Sequence, residues 1–87
     1  MSAVTDAEAA ILALLAERAE GATICPSEAA RRIDPVGWRG AMPSVHEAVR
    51  GLAGRGAVAV TQGGRVVDAE AAVGAYRVRK PPADTPD

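Results

Sequence analysis

The side chains best suited to covalent chemistry are one cysteine, Cys25, and one histidine, His46. Cys25 precedes Pro26 at the expected start of a helix, where unpaired backbone N–H groups stabilise a thiolate. A nucleophilic thiol also needs a base, and His46 lies about twenty residues further on, with no recognisable oxyanion-hole motif or orienting partner. Cysteine is also among the residue types most often buried. We therefore expect a structural Cys25, with a redox-sensitive thiol as the alternative, and no enzymatic activity.

The composition narrows the remaining classes of chemistry. A single cysteine and a single histidine cannot form an internal disulfide or a Cys/His metal site, and no cofactor is expected. The chain has no apolar run near the roughly 18 residues of a membrane span and no signal-peptide pattern at its start, so we expect no membrane contact and a cytoplasmic location. Nine Gly, many Ala and far more Arg than Lys are typical of a GC-rich, bacterial genome.

Charge is distributed unevenly along the 87 residues, although the net charge is only −1. Residues 1–30 hold one arginine against five acidic residues, whereas residues 31–80 hold nine basic residues against four acidic ones. A basic second part permits contact with an anionic partner such as nucleic acid, and it is equally compatible with a solvated mixed surface.

Helical spacing and capping signals predict three helices followed by short strands. Thr5-Asp6-Ala7-Glu8 has the pattern of a capping box, and Pro26 and Pro43 stand where proline suits the first turn of a helix. Gly63-Gly64 is a turn signal between two β-prone segments. The expected helices lie at about 6–19, 26–33 and 43–55, the strands at 23–25, 57–61, 65–67 and 75–79, and a further helical turn at 68–73.

The core is expected to be aliphatic, because the chain has no phenylalanine, one tryptophan and one tyrosine. Trp38 should fill the edge of the core near the connection between the second and third helices. Tyr76 and Val78 alternate with arginines in the last strand and should face inward. The other expected core residues are valines together with Ile11, Leu12, Leu14, Leu15, Ile24, Ile33 and Leu52.

The order of helix, short strand, two helices and a hairpin is that of a winged helix. We therefore predict an α+β fold in which the second and third helices form a helix-turn-helix and the hairpin loop is the wing. Residues 23–25 should pair with the hairpin. This winged-helix domain is expected to cover residues 1–80, and residues 81–87 are expected to form a disordered tail.

Four short motifs resemble an uncharacterised bacterial winged-helix family that is catalogued as a domain of unknown function. They are Ile24-Cys25-Pro26-Ser27-Glu28, Trp38-Arg39, Met42-Pro43 with Val45, and Val60-Thr61-Gln62 with Gly64. The resemblance covers about residues 8–79 and implies a winged helix and, by analogy, DNA binding, with no established activity or cofactor. Ser44, His46 and Gly51 stand where that family more often has basic residues, which weakens the expectation of DNA binding.

Docking of a helix-turn-helix on duplex DNA would assign roles to seven side chains. The second helix of the motif enters the major groove, while flanking groups contact phosphates. Arg can bind guanine bidentately and Glu can accept from cytosine. The expected base-facing residues are Ser44, His46, Glu47 and Arg50, and Arg39, Gln62 and Arg65 are expected to reach phosphates or the minor groove.

A protein-interaction module is the competing prediction. Winged helices also serve as surfaces for a protein partner or a second copy, and a fold does not by itself determine function. Gly51 and Gly54 are expected on the outer side of the third helix, where glycine would let another backbone approach. The predicted functions are thus a DNA-binding regulatory module or, alternatively, an interaction or oligomerisation module.

Overall fold

Three helices followed by a four-stranded sheet make up the fold of residues 2–81, the part of the chain that a computed structural model describes. The predicted tail at 81–87 lies outside these residues except for Pro81. The helices are α1 (Ala3–Ala16), α2 (Pro26–Ile33) and α3 (Trp38–Gly54), and the strands are β1 (Thr23–Ile24), β2 (Ala59–Gln62), β3 (Arg65–Val67) and β4 (Arg77–Arg79).

The sheet is antiparallel throughout, in the order β1-β4-β2-β3. Val78 on β4 lies opposite Ile24 on one side and Val60 on the other, so the short first strand is joined to the hairpin. Gly63 and Gly64 connect β2 to β3 with φ values of 57° and 80°, which suit the tight turns that match the twist of a hairpin. The predicted winged helix, including the pairing of the first strand with the hairpin, is confirmed.

One aliphatic core joins the helices to the sheet. Val45, Val49 and Leu52 line the inner face of α3, and Ile11 of α1, Ile24 of β1 and Val78 of β4 are also buried. Trp38 and Tyr76 are partly buried and pack against this core, as predicted. The sheet and the other two helices thereby hold α3 with one fixed face toward solvent.

Helix α1 begins earlier than predicted. The Ser2 hydroxyl accepts a hydrogen bond from the backbone N–H of Thr5 at 3.1 Å, so Ser2 is the N-cap. The capping box predicted at Thr5 is therefore wrong, because Thr5 already lies inside the helix. A serine three residues before Thr5 offers the same type of acceptor, and the longer helix uses it.

Helix α3 also begins earlier, at Trp38, so the predicted start at Pro43 is wrong. The Asp34 carboxylate accepts from the backbone N–H groups of Val36 and Gly37, which shapes a tight turn between α2 and α3. Proline inside a helix removes one hydrogen-bond donor. The helix continues through Pro43 because its inner face is packed along the core on either side of that residue.

Two predicted core residues are instead exposed. Leu12 is 43% exposed and Ile33 is 37% exposed. The buried stripe of α1 is formed by Ala7, Ile11 and Leu14 with their neighbours, and Leu12 lies beside that stripe. Ile33 is the last residue of α2, where the chain leaves the core. The predicted helical turn at 68–73 is a hydrogen-bonded turn and no helix.

Candidate nucleic-acid interface

The outer face of α3 carries most of the predicted contact residues. Positions three, four and seven residues apart share one face of a helix, and Arg39, Pro43, His46 and Arg50 have this spacing. Arg39, Pro43 and Arg50 are exposed, whereas His46 is half-buried. The buried residues on the opposite face fix this surface in place, so Arg39, His46 and Arg50 lie along one line, on which the two arginines face outward and His46 is half-buried.

Two other predicted base-facing residues flank that line. Glu47 is exposed beside Arg50 and forms no ion pair with a described residue. Ser44 is half-buried, nearer the side of the helix that faces the core. A carboxylate among phosphates is unfavourable unless it accepts a hydrogen bond from a base, so Glu47 is the residue on this face that least suits non-specific contact with DNA.

The hairpin wing is short and carries one exposed arginine. Arg65 follows the Gly63-Gly64 turn directly and lies opposite Gln62 in the ladder. The Gln62 side chain points toward the segment before β4, where its Nε2 donates to the carbonyls of Val73 (2.8 Å) and Ala75 (3.1 Å). Its N–H groups are therefore satisfied within the chain, and a phosphate contact from them would require breaking both bonds. Arg65 is the wing side chain that is free to reach outward.

Ion pairs divide the cationic side chains into two groups. Four cationic side chains bind acidic residues of α1, α2 or the segment between them: Arg18 with Glu28, Arg32 with Glu17, Arg55 with Glu8, and Lys80 with Glu20. The remaining arginines have no carboxylate oxygen of residues 2–81 within 4.0 Å of their nitrogens. These arginines are Arg31, Arg39, Arg50, Arg65, Arg77 and Arg79. Pairing thus involves four of the acidic residues in the first part of the chain and leaves unpaired arginines on α2, α3, the wing and β4.

A contact between α2 and α3 brings in an arginine that sequence reasoning missed. The guanidinium carbons of Arg31 and Arg39 each lie 4.4 Å from the centroid of the Trp38 ring. Both arginines are exposed, while Trp38 packs against the edge of the core. Arg31 lies next to Arg32 on α2, and no sequence motif distinguishes the two arginines. Only the packing of the two helices places it beside Trp38.

His46 joins α3 to the segment before β4. Its Nδ1 is hydrogen-bonded to the Tyr76 hydroxyl at 2.5 Å. Burial lowers the pKa of His46 below its usual value, and the positive charge of Arg50 lowers it further. Burial also raises the pKa of the Tyr76 phenol. The neutral form of His46 is therefore favoured, and its hydrogen bond to Tyr76 joins α3 to the segment before β4.

The same pair borders a small hollow that Cys25 also lines. The hollow has a volume of about 170 Å³ and is also lined by Pro26, Met42 and residues 74–76. Cys25 and His46, which are 21 residues apart in the chain, thus line one cavity. No three His, Cys, Asp or Glu residues of the described chain form a cluster that could hold a metal ion.

Cys25 itself connects β1 to α2. Its backbone N–H donates to the Glu28 carboxylate at 2.7 Å, and its carbonyl accepts from the Glu28 N–H at 2.9 Å. The Ser27 hydroxyl donates to Sγ at 3.2 Å. These bonds begin α2, in agreement with the structural role predicted for this residue, and the thiol is half-buried.

Comparison with known families adds to this geometry. The family model described as "Protein of unknown function (DUF3253)" matches residues 5–81, which is nearly all of the described fold. The chain belongs to the DUF3253 family. No curated protein matches it. Within residues 2–81, no helix combines the length and apolar character that crossing a membrane requires.

Proposed function

We propose that this chain is a DNA-binding module of regulatory type, which docks the outer face of α3 and the β2–β3 wing on duplex DNA. The observation that carries the proposal is the set of arginines without a carboxylate partner on this side of the fold. Arg39 and Arg50 lie on the exposed face of α3, and Arg65 lies at the turn of the wing.

Electrostatics favours an anionic partner at this surface. Arginine presents a planar fork of donors that matches phosphate oxygens. An arginine that forms no ion pair in the free protein also has no internal ion pair to give up on binding. Release of condensed counterions from DNA then supplies affinity that is independent of base sequence and that falls with added salt.

The number of available arginines sets the expected strength of binding. Each neutralised phosphate contributes about −0.9 to the slope of log K against log salt concentration. With Arg39 and Arg65 in contact with phosphates, we expect a slope of about −2, which is shallow for a DNA-binding protein. Any base specificity would come from Arg50 and Glu47, whose side chains suit guanine and cytosine respectively.

The test is fluorescence anisotropy with a labelled mixed-sequence duplex at 50 mM and 200 mM salt. We expect binding that is tighter than about 10⁻⁴ M at the lower salt, since non-specific binders reach this range even at physiological salt. The double variant Arg39→Glu with Arg65→Glu should abolish this binding.

The matched control reverses two arginines that pair with acidic residues elsewhere on the fold. Arg32→Glu with Arg55→Glu changes the net charge by the same amount, at the last turn of α2 and the C-cap of α3, but leaves Arg39, Arg50 and Arg65 in place. It should bind far better than the first double variant. Equal losses in both would show that net charge alone governs binding, and an affinity weaker than about 10⁻⁴ M for the unmodified chain would contradict the proposal.

The interaction module is the alternative proposal, and exposed valines favour it. Val36 is 95% exposed in the turn between α2 and α3, and Val73 is 88% exposed before β4. Gly54 has open space where a Cβ would stand, whereas Gly51 lies near the Glu8 carboxylate of α1. Light scattering after size exclusion tests self-association: a dimer that Val36→Ser disrupts would support this alternative, and a monomer up to high concentration would contradict its homodimer form.

A further inference from the structure

We propose that Arg31, Trp38 and Arg39 form a phosphate clamp, in which Trp38 holds two guanidinium groups ready for the phosphate backbone of a DNA duplex. The inference rests on the proposed function, and it adds a contact from α2 to a surface otherwise built from α3 and the wing. We call these three residues the Arg-Trp-Arg clamp.

The Trp38 ring fixes both arginines. Each guanidinium carbon lies 4.4 Å from the centroid of the ring, well within the range of a cation–π contact. Trp38 packs against the core, so its ring has a fixed position. An arginine held by such a contact loses less side-chain freedom when it binds a ligand, which increases the affinity of each hydrogen bond that it makes.

The charges of the clamp lack an internal counterion. Two guanidinium groups on one ring repel each other, and no carboxylate oxygen of residues 2–81 lies within 4.0 Å of a nitrogen of either arginine. Glu28 and Asp34 are the acidic residues nearest to Arg31 in sequence. The Glu28 carboxylate pairs with Arg18, and the Asp34 carboxylate accepts from the N–H groups of Val36 and Gly37. A bound phosphate would relieve the repulsion between the two cations.

The geometry points to the backbone of duplex DNA as the partner. Proteins that bind single strands stack unpaired bases on open aromatic rings. Two guanidinium groups already lie over the Trp38 ring, so the ring is not open for a base. The outward donors of the clamp are N–H groups, and phosphate oxygens are their matching acceptors.

The test compares two neighbouring arginines that differ in their partners. Arg31→Gln removes one arm of the clamp, and Arg32→Gln makes the same change of charge at an exposed arginine that pairs with Glu17. Duplex affinity is measured by anisotropy over a series of salt concentrations. For Arg31→Gln we expect about tenfold weaker binding at 50 mM salt and a slope shallower by about 0.9, whereas Arg32→Gln should leave the slope unchanged.

Two further variants separate charge from the stacking geometry. Arg31→Lys keeps the positive charge but loses the planar fork, so its affinity should lie between those of the unmodified chain and Arg31→Gln. Trp38→Leu keeps both positive charges but removes the ring that positions them. Duplex affinity should therefore fall several-fold, while the slope of log K against log salt concentration stays the same. Urea unfolding of each variant establishes that it is folded. A single-stranded oligonucleotide serves as the second probe and should bind more weakly than the duplex.

The outcomes distinguish this inference from the proposed function. If the unmodified chain binds duplex DNA and Arg31→Gln has the same affinity and slope as Arg32→Gln, the clamp is wrong and the DNA-binding module stands. Preference for the single strand would likewise overturn the clamp. Absence of any duplex binding by the unmodified chain would overturn both. Trp38 is the only tryptophan, so its emission should change as duplex is added, and unchanged emission at saturation would contradict the clamp.

Discussion

Two regions of this small fold hold their cationic side chains in different ways. Near α1 and the start of α2, Glu8, Glu17 and Glu28 each pair with an arginine, namely Arg55 at the C-cap of α3, Arg32 in the last turn of α2, and Arg18. On α3 and in the wing, Arg39, Arg50 and Arg65 have no carboxylate partner among the described residues. In the first region the arginines are paired within the fold, and we infer that the unpaired arginines of the second region are available to a binding partner.

The largest effect is expected in the core that supports both regions. Leu52 is fully buried on the inner face of α3. Leu52→Ala should lower the free energy of unfolding by about 2–5 kcal/mol, since it removes buried methyl groups and leaves a cavity. Urea unfolding measures this loss, with Arg50→Ala on the outer face as the control at less than about 0.5 kcal/mol. Equal losses of stability in the two variants would contradict the assignment of Leu52 to the buried face of α3 and of Arg50 to its exposed face.

A smaller effect on the free energy of unfolding should distinguish the region with paired arginines from the region with unpaired ones. Glu28 accepts from the Cys25 N–H and pairs with Arg18, so Glu28→Ala should lower the free energy of unfolding by about 1 kcal/mol. DNA affinity should stay the same. Glu47→Ala is the matched change on the other region, where we expect stability within about 0.5 kcal/mol of the unmodified chain and tighter DNA binding. The reverse pattern in urea unfolding and anisotropy would contradict the comparison.

The smallest effect is a dependence of stability on pH at the junction between α3 and β4. The pKa of His46 is lowered in the folded state, so the unfolded chain binds a proton more readily. Stability from this residue is therefore full above the unfolded pKa of about 6.5 and is lost as the pH falls through the folded value. Urea midpoints between pH 7.5 and 5 should fall more for the unmodified chain than for His46→Gln. Parallel curves would exclude His46 as the cause.

Much of the fold was predictable because local signals agreed with each other. The Pro26 start of α2, the Gly63-Gly64 turn and the alternation of Tyr76 and Val78 were each confirmed. Errors occurred where two signals of the same kind compete. Thr5 and Ser2 can both cap a helix, and the structure uses the earlier one.

The candidate site was predictable only in part. His46 and Arg50 lie on the third helix as expected, whereas Arg39, which stands before the predicted start at Pro43, shares that helix because α3 begins at Trp38. The internal bonds of Gln62 and the position of Arg31 beside Trp38 could not be predicted, because both depend on segments that are distant along the chain or on separate helices.

The sequence by itself determined the order of the elements, the aliphatic character of the core and the surplus of basic residues after position 30. These properties follow from composition and short-range spacing, which act within a few residues of the chain. Tertiary structure decided which arginines have a carboxylate partner. An ion pair needs two side chains to meet across the fold, as Arg55 meets Glu8 and Arg18 meets Glu28, and no local pattern specifies such a meeting.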